Sequence, residues 1–190
     1  MIITFFSTKG GTGKTILSSY LALYVKHYEK RSVAYNRTIV FDEIEDVFTH
    51  QGIAFKEASV FSFNAAELSK QSDDIIILDC STTLTHYTKE LLEKSDKIVI
   101  PFNCSNIDEK QLPQMIFFLN EKYNIKTADK VYLLPNAYNE RHQTLTGSYF
   151  IKPENILPAV PNSKIFKYPN LNDLKKTELN IARSSFLPLL

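Results

Sequence analysis

A doubly wound α/β fold, with a mostly parallel sheet and helices on both faces, is predicted by three observations. Short continuous apolar runs recur along the chain: Ile75-Ile-Ile-Leu78, Ile98-Val-Ile100 and Val131-Tyr-Leu-Leu134, each bounded by polar residues. Strands covered on both faces need such runs, because neither face meets water. Stretches with helical spacing separate them, and this alternation is the mark of the class. Finally, Gly10, Gly11 and Gly13, three of only five glycines, lie together between the first apolar run and the first helical pattern.

Each element follows in chain order. Ile2–Ser7 is expected as the first strand. A helix is predicted from Lys14 to Tyr28, where Ile16, Leu17, Tyr20, Leu21, Tyr24, Val25 and Tyr28 share one broad face. The second strand is placed around Val33-Ala-Tyr35. Thr38–Glu57, where acids mix with Ile44, Val47 and Phe48, carries no clear pattern. Ala58–Phe63 alternates like a strand, and Asn64 suits the cap of a short helix over Ala65–Lys70. Helices are expected near Thr85–Lys94 and Leu112–Tyr123, with Pro113 in the first turn of the latter or kinking it. A last strand near Ile156–Val160 and a closing helix near Leu171–Phe186 complete the order.

Residues 1–190 are read as one domain, long enough to bury a real core. With 44% hydrophobic and 23% charged residues the composition is globular, which argues against a disordered chain. The net charge of +1 favours no partner by itself, so any nucleic-acid surface must be local. Cys80 and Cys104 lack paired spacing and no signal peptide precedes them, pointing to a reduced, cytoplasmic setting. No uncharged stretch is long enough to span a bilayer, so a soluble protein is expected. His27, His50, His86 and His142 show no metal-ligand spacing.

The chemistry concentrates in Lys9-Gly-Gly-Thr-Gly-Lys-Thr15. Backbone N–H groups can curl around phosphate oxygens only where glycine dihedrals are allowed and no Cβ intrudes. The helix that follows turns its positive end toward the anion. Lys14 is suited to β and γ phosphates and the Thr15 hydroxyl to Mg²⁺, which makes the element a P-loop for a nucleoside triphosphate. Residues Lys9 to Ile16 (Lys9, Gly10, Gly11, Thr12, Gly13, Lys14, Thr15 and Ile16) are the nucleotide-binding candidates.

With its leading Lys9, this element resembles the deviant Walker A motif of the ParA/MinD superfamily of ATPases. The resemblance implies that Lys9 reaches the phosphates of a second subunit, making an ATP-dependent homodimer. It also extends along the chain. Ile75-Ile-Ile-Leu-Asp79-Cys80 resembles the family's Walker B strand, implying that Asp79 and Thr15 serve the metal. Leu133-Leu-Pro-Asn136 resembles the strand whose asparagine contacts adenine, and Ala159-Val-Pro161 a late element near the base, which puts Asn136 and Pro161 among the nucleotide contacts. One departure stands out. The family's second acidic motif, Asp-x-Asp-Pro-Gln, would fall on Asn36 and Thr38, neither a carboxylate; an insertion could bring Asp42 there instead. Lys9, Lys14, Asp79 and Asp42 are therefore the catalytic candidates, with slow, partner-stimulated hydrolysis expected.

The resemblance implies a short ParA-type partition ATPase using ATP and Mg²⁺, binding DNA non-specifically and released by a ParB-like partner. Lys164, Lys167, Lys175, Lys176 and Arg183 form the candidate DNA surface. No helix-turn-helix is expected ahead of Lys9. A MinD-like basic membrane helix is disfavoured by Pro188 and the few bases around the C-terminal apolar residues. A cysteine-bridged cluster like that of the nitrogenase iron protein is disfavoured, because Cys80 lies beside the Walker B strand. A MinD-like or other positioning ATPase and a nucleotide-sensing module with little hydrolysis are the alternatives.

Overall fold

The computed structural model describes residues 1–38, 44–57, 73–103, 106–136, 151–160 and 183–190. Six strands form one sheet: β1 (Ile2–Phe5), β2 (Val33–Arg37), β3 (Ala54–Glu57), β4 (Ile75–Asp79), β5 (Lys97–Asn103) and β6 (Val131–Asn136). Their order across the sheet is β3-β2-β4-β1-β5-β6, and every pairing is parallel. After β1 the chain moves outward to β2 and β3, returns to β4, then continues on the other side of β1. Crevices at such a reversal, beyond the carboxyl ends of the strands, are where ligands bind in open α/β sheets.

The apolar runs divide between two cores, as the pleat requires. Ile75, Ile77 and Val99 pack with Leu17, Tyr20, Leu21 and Tyr24 of helix α1 (Lys14–Tyr24) on one face. Ile76, Leu78, Ile98 and Ile100 face the other way, onto helix α3 (His86–Lys94) and helix α4 (Asn106–Tyr123) through Leu91, Leu92, Leu112, Ile116 and Leu119. Each fully buried leucine or isoleucine contributes about 1.5–3 kcal/mol relative to exposure. The predicted doubly wound fold is therefore observed.

Boundaries differ in instructive ways. The first helix stops being α-helical at Tyr24; Val25–Glu29 form a π turn, closed by Lys30 N–H donating to the Val25 carbonyl. Lys30 then adopts φ 55°, which ends the helix. Helix α3 starts one residue after Thr85, whose side chain accepts from Thr88 N–H while Thr88 Oγ1 accepts from Thr85 N–H, a complete capping box. Helix α4 begins at Asn106, so Pro113 is interior rather than in the first turn and removes one bond of the ladder. Asn124, at φ 53°, follows its end, and a short helix α5 (Thr127–Lys130) leads into β6.

The stretch without a clear pattern holds helix α2 (Ile44–His50) and β3, anchored by the buried Phe48 ring 4.5 Å from that of Tyr35. The strand expected at 58–63 and the helix at 65–70 lie outside the described residues. Ile156–Val160 is not a full strand. Ile156 makes a single bridge to Leu133, and Leu157 and Val160 donate to the carbonyls of Leu133 and Pro135. A regular ladder bonds alternate residues, and here the donors Leu157 and Val160 are out of that step with the acceptors Leu133 and Pro135. Of the closing helix, residues 183–186 are helical before a 3₁₀ turn at Leu187–Leu189; the rest lies outside the described residues. Among the described residues no helix is long and apolar enough to cross a membrane.

Candidate functional site

At the carboxyl end of β1 the chain turns through residues 6–13 into α1. Gly11 (φ 73°) and Gly13 (φ 91°) occupy the left-handed region that favours glycine. A Cβ on Gly10 or Gly11 would meet no atom within 4 Å, so the loop faces open space there. On Gly13 it would collide with the Asn136 amide. No side chain caps the start of α1 and no acid occupies its first turn. Its first N–H groups, which a helix cannot satisfy itself, remain available to an anion.

Lys14 is buried, and its ammonium donates to the Lys9 carbonyl at 3.1 Å. Burial lowers its pKa, opposed by the nearby Asp79. Lys9 itself is half-buried, with its N–H on Ser7 Oγ at 3.2 Å. A small cleft opens beside it, lined also by Thr12, Phe102, Gln111 and Met115.

Asp79 closes β4, the strand next to β1, and is fully buried. Neither of its carboxylate oxygens has a hydrogen-bond partner of good geometry. Burial raises its pKa, while the Thr15 hydroxyl, Arg37, Lys14 and the Tyr35 hydroxyl pull it back down. Arg37 stands close to it, with Nε 3.6 Å from Oδ2 and both side chains almost completely buried. These hard oxygen donors, Thr15 and the unsatisfied Asp79 carboxylate, fit a Mg²⁺ ion that takes its remaining ligands from phosphate and water. Among the described residues no group of three or more His, Cys, Asp or Glu could hold a metal alone.

Asn36 and Thr38, where the resemblance places acids, bring no carboxylate. Asn36 is buried and, by the pleat, shares the face of Ala34 on the α3–α4 side. Thr38 ties two strand ends together: its N–H and hydroxyl both donate to the Asp79 carbonyl, at 3.1 and 3.3 Å, and its Oγ1 accepts from Ser81 N–H at 2.6 Å. Asp42 lies outside the described residues.

On the other side of the loop, Asn136 Nδ2 donates to the Thr12 carbonyl at 2.8 Å. Asn103, in register with Asn136 at the end of β5, donates to the Gly11 carbonyl at 3.4 Å. Asn136, expected as a contact to the base, here braces the loop. Thr12 is buried with its hydroxyl unpartnered, and Ile16 packs against the core.

Solved structures with this arrangement can now be set beside it. A candidate plasmid partition protein of Borrelia burgdorferi bound to AMPPNP superposes with a TM-score of 0.74, at 18% identity over 99% of this chain and 97% of that one. MinD of Pyrococcus horikoshii complexed with Mg-ADP follows at 0.62 and 16%, over 99% and 93%. An ATP complex of a McdA variant from Cyanothece gives 0.68 and 11%, over 99% and 95%. The fold is that of the ParA/MinD-type ATPases. No family model matches the sequence, and no curated protein matches it either.

Within this ParA/MinD-type fold, sequence reasoning missed four contributors. Arg37 is one. Asn103 is another, although it ends an apolar run as Asn136 ends the next. The third and fourth are Ser18 and Tyr35. Ser18 donates to the Thr15 carbonyl at 3.0 Å and shares a 2.8 Å hydrogen bond with the Tyr35 hydroxyl, and the two link the first turn of α1 to β2. A serine pair in the apolar run Ile16–Tyr20 was the available signal. Cys80 is buried with its thiol pushed up to about 12 by desolvation, which keeps it protonated and inert. Arg183 is exposed; Cys104, Pro161, Lys164, Lys167, Lys175 and Lys176 lie outside the described residues.

Proposed function

We propose that this chain is a ParA-like ATPase: it binds ATP with Mg²⁺, dimerises across the nucleotide, binds DNA without reading sequence, and is released when a ParB-like partner stimulates hydrolysis. The observation that carries this reading is the loop between β1 and α1. Gly10 and Gly11 face open space, Lys14 is tethered to the Lys9 carbonyl, and the Asp79 carboxylate lies buried and unsatisfied nearby.

In this reading the loop N–H groups and the start of α1 cradle the phosphates. Lys14 leaves the Lys9 carbonyl for the β and γ phosphates, which frees the Lys9 segment to move when nucleotide enters. Lys9 then offers its charge across the dimer, stabilising negative charge that grows on the γ-phosphate. Asn136 and Pro161 would contact the base, as the resemblance implies. Thr15 and Asp79 are the residues that would hold Mg²⁺, which when bound neutralises charge between the β and γ phosphates. Asp42 is the carboxylate left to orient water. Lys164, Lys167, Lys175, Lys176 and Arg183 would meet DNA phosphates.

A second reading, a nucleotide-responsive binding module with little hydrolysis, is favoured by one observation: Asn36, Arg37 and Thr38 put no carboxylate where the family carries two. A positioning role for another cargo, as in MinD-like proteins, differs from partition in the surface bound and not in the site.

Sizing the protein with ATP, ADP or no nucleotide tests the switch. Wild type is expected to dimerise with ATP alone. Lys9→Ala should bind ATP yet stay monomeric. Lys14→Ala should lose about 10- to 100-fold in affinity, the worth of a hydrogen bond to a charged group. A wild type that binds ATP but never dimerises ends the switch model. Single-turnover hydrolysis with and without DNA separates the ATPase from the binding module, and ATP-dependent, salt-sensitive retention on non-specific DNA supports partition.

A further inference from the structure

The function just proposed gives Arg37 no role, yet it lies against the residue that would hold the metal. It ends β2 in register with Asp79 at the end of β4, and the pleat puts it on the face of Tyr35, toward α1 and the loop. Arg37 and Asp79 side chains are 5% and 0% exposed, with Nε 3.6 Å from Oδ2. A guanidinium does not lose its proton in a protein, so this charge is permanent. Asp79 therefore has a fixed positive partner before any ligand arrives.

Resting on the reading of this loop as a nucleotide site, we propose that Arg37 is the resident counterion of Asp79 and competes there with Mg²⁺. It determines how far nucleotide binding depends on the divalent cation. Two consequences follow from the charges. Arg37 already supplies part of the positive field that a polyphosphate needs, so nucleotide binds well without Mg²⁺. It also repels a divalent ion at Asp79, so adding Mg²⁺ gains little. Arg37 acts through Asp79 and is a positioning residue. Thr38, hydrogen-bonded to the Asp79 carbonyl, holds the two strand ends so that the pair stays in contact.

A simple structural ion pair predicts otherwise. Its loss would weaken binding alike with and without the cation.

The test is the affinity of a fluorescent methylanthraniloyl-ADP, measured in EDTA and in excess Mg²⁺ and expressed as the ratio of the two. In wild type Mg²⁺ should tighten binding by no more than about 3-fold, and Arg37→Lys, which keeps the charge, should stay close to that. Arg37→Gln should bind more weakly in EDTA and no more weakly in Mg²⁺, raising the ratio to about 10-fold or above. Circular dichroism checks its folding; should it not fold, wild type and Arg37→Lys decide alone. A wild-type ratio near 100-fold, or equal ratios in wild type and Arg37→Gln, would overturn the proposal while leaving the nucleotide site intact. Wild type binding ADP in neither buffer would overturn the nucleotide reading itself, and this inference with it.

Discussion

Where β1 gives way to the glycine loop, its two neighbouring flanks present different chemistry. On the β4–β2 side the loop faces charge: Asp79 and Arg37, buried together, with Lys14 close by. On the β5–β6 side it faces neutral amides, Asn103 and Asn136, each donating to a loop carbonyl. The charged flank responds to a ligand's charge, because each of its terms changes when an anion or cation enters. The amide flank is indifferent to charge and restrains the loop's shape. A net hydrogen bond of this neutral kind is worth about 0.5–1.5 kcal/mol, whereas removing one member of a buried ion pair costs about 3–5 kcal/mol.

Gly13→Ala should produce the largest effect of the amide flank, because Gly13 is where shape and contact coincide. Its φ of 91° disfavours any side chain, a cost of about 1–2 kcal/mol. The new Cβ would also strike the Asn136 amide. Lower stability and a loss of ADP binding are expected in denaturant and binding titrations. Adding Asn136→Ala should recover the part due to collision and not the part due to φ. Were the double variant no better than the single, Asn136 would not be the wall of this turn.

Much of this flank contrast follows from what a sequence can and cannot display. Apolar runs such as Ile75–Leu78 and Ile98–Ile100 announce buried strands, since their burial on both faces is a one-dimensional pattern, and the doubly wound sheet came from them. The loop was equally legible, because its glycines and lysines are contiguous. Asp79 was found only by its place at the end of a run. Arg37 and Asn103 were missed for a physical reason. Their roles depend on register between strands 42 and 92 residues away in sequence from their partners Asp79 and Gly11, and no local pattern records register. Residues 156–160 show the opposite error, where an apolar stretch looked like a strand but its N–H groups meet β6 at Leu157 and Val160, out of the alternate-residue step that a ladder needs.

A smaller effect sharpens the contrast between flanks. Asn136→Ala and Asn103→Ala should each weaken ADP binding by about 2- to 10-fold, the first more than the second because its bond is the shorter, 2.8 against 3.4 Å. The loss should be the same in EDTA and in Mg²⁺, since an amide neither attracts nor repels the cation. Arg37 variants are expected to change the ratio and asparagine variants only the affinity. A Mg²⁺-dependent loss in Asn136→Ala would remove the distinction.

The smallest effect belongs at the opposite end of the charged flank, far from the loop. Asp74, just before β4, accepts from Ser32 N–H at 3.0 Å and from the Ser32 hydroxyl at 3.1 Å, tying the starts of β2 and β4 together. Those bonds lower its pKa from the ordinary 3.8. A carboxylate with a depressed folded pKa contributes stability that is fully present above its unfolded value and lost as pH falls through the folded one. Asp74→Ala should therefore be slightly less stable than wild type at neutral pH, with the gap narrowing below about pH 4 as the wild-type carboxylate is protonated. Thermal melts across pH 3 to 7 would show this, and ADP affinity at pH 7 should not change. A gap that stays constant down to pH 3 would mean that packing around Ser32, and not the charge on Asp74, holds the base of this flank.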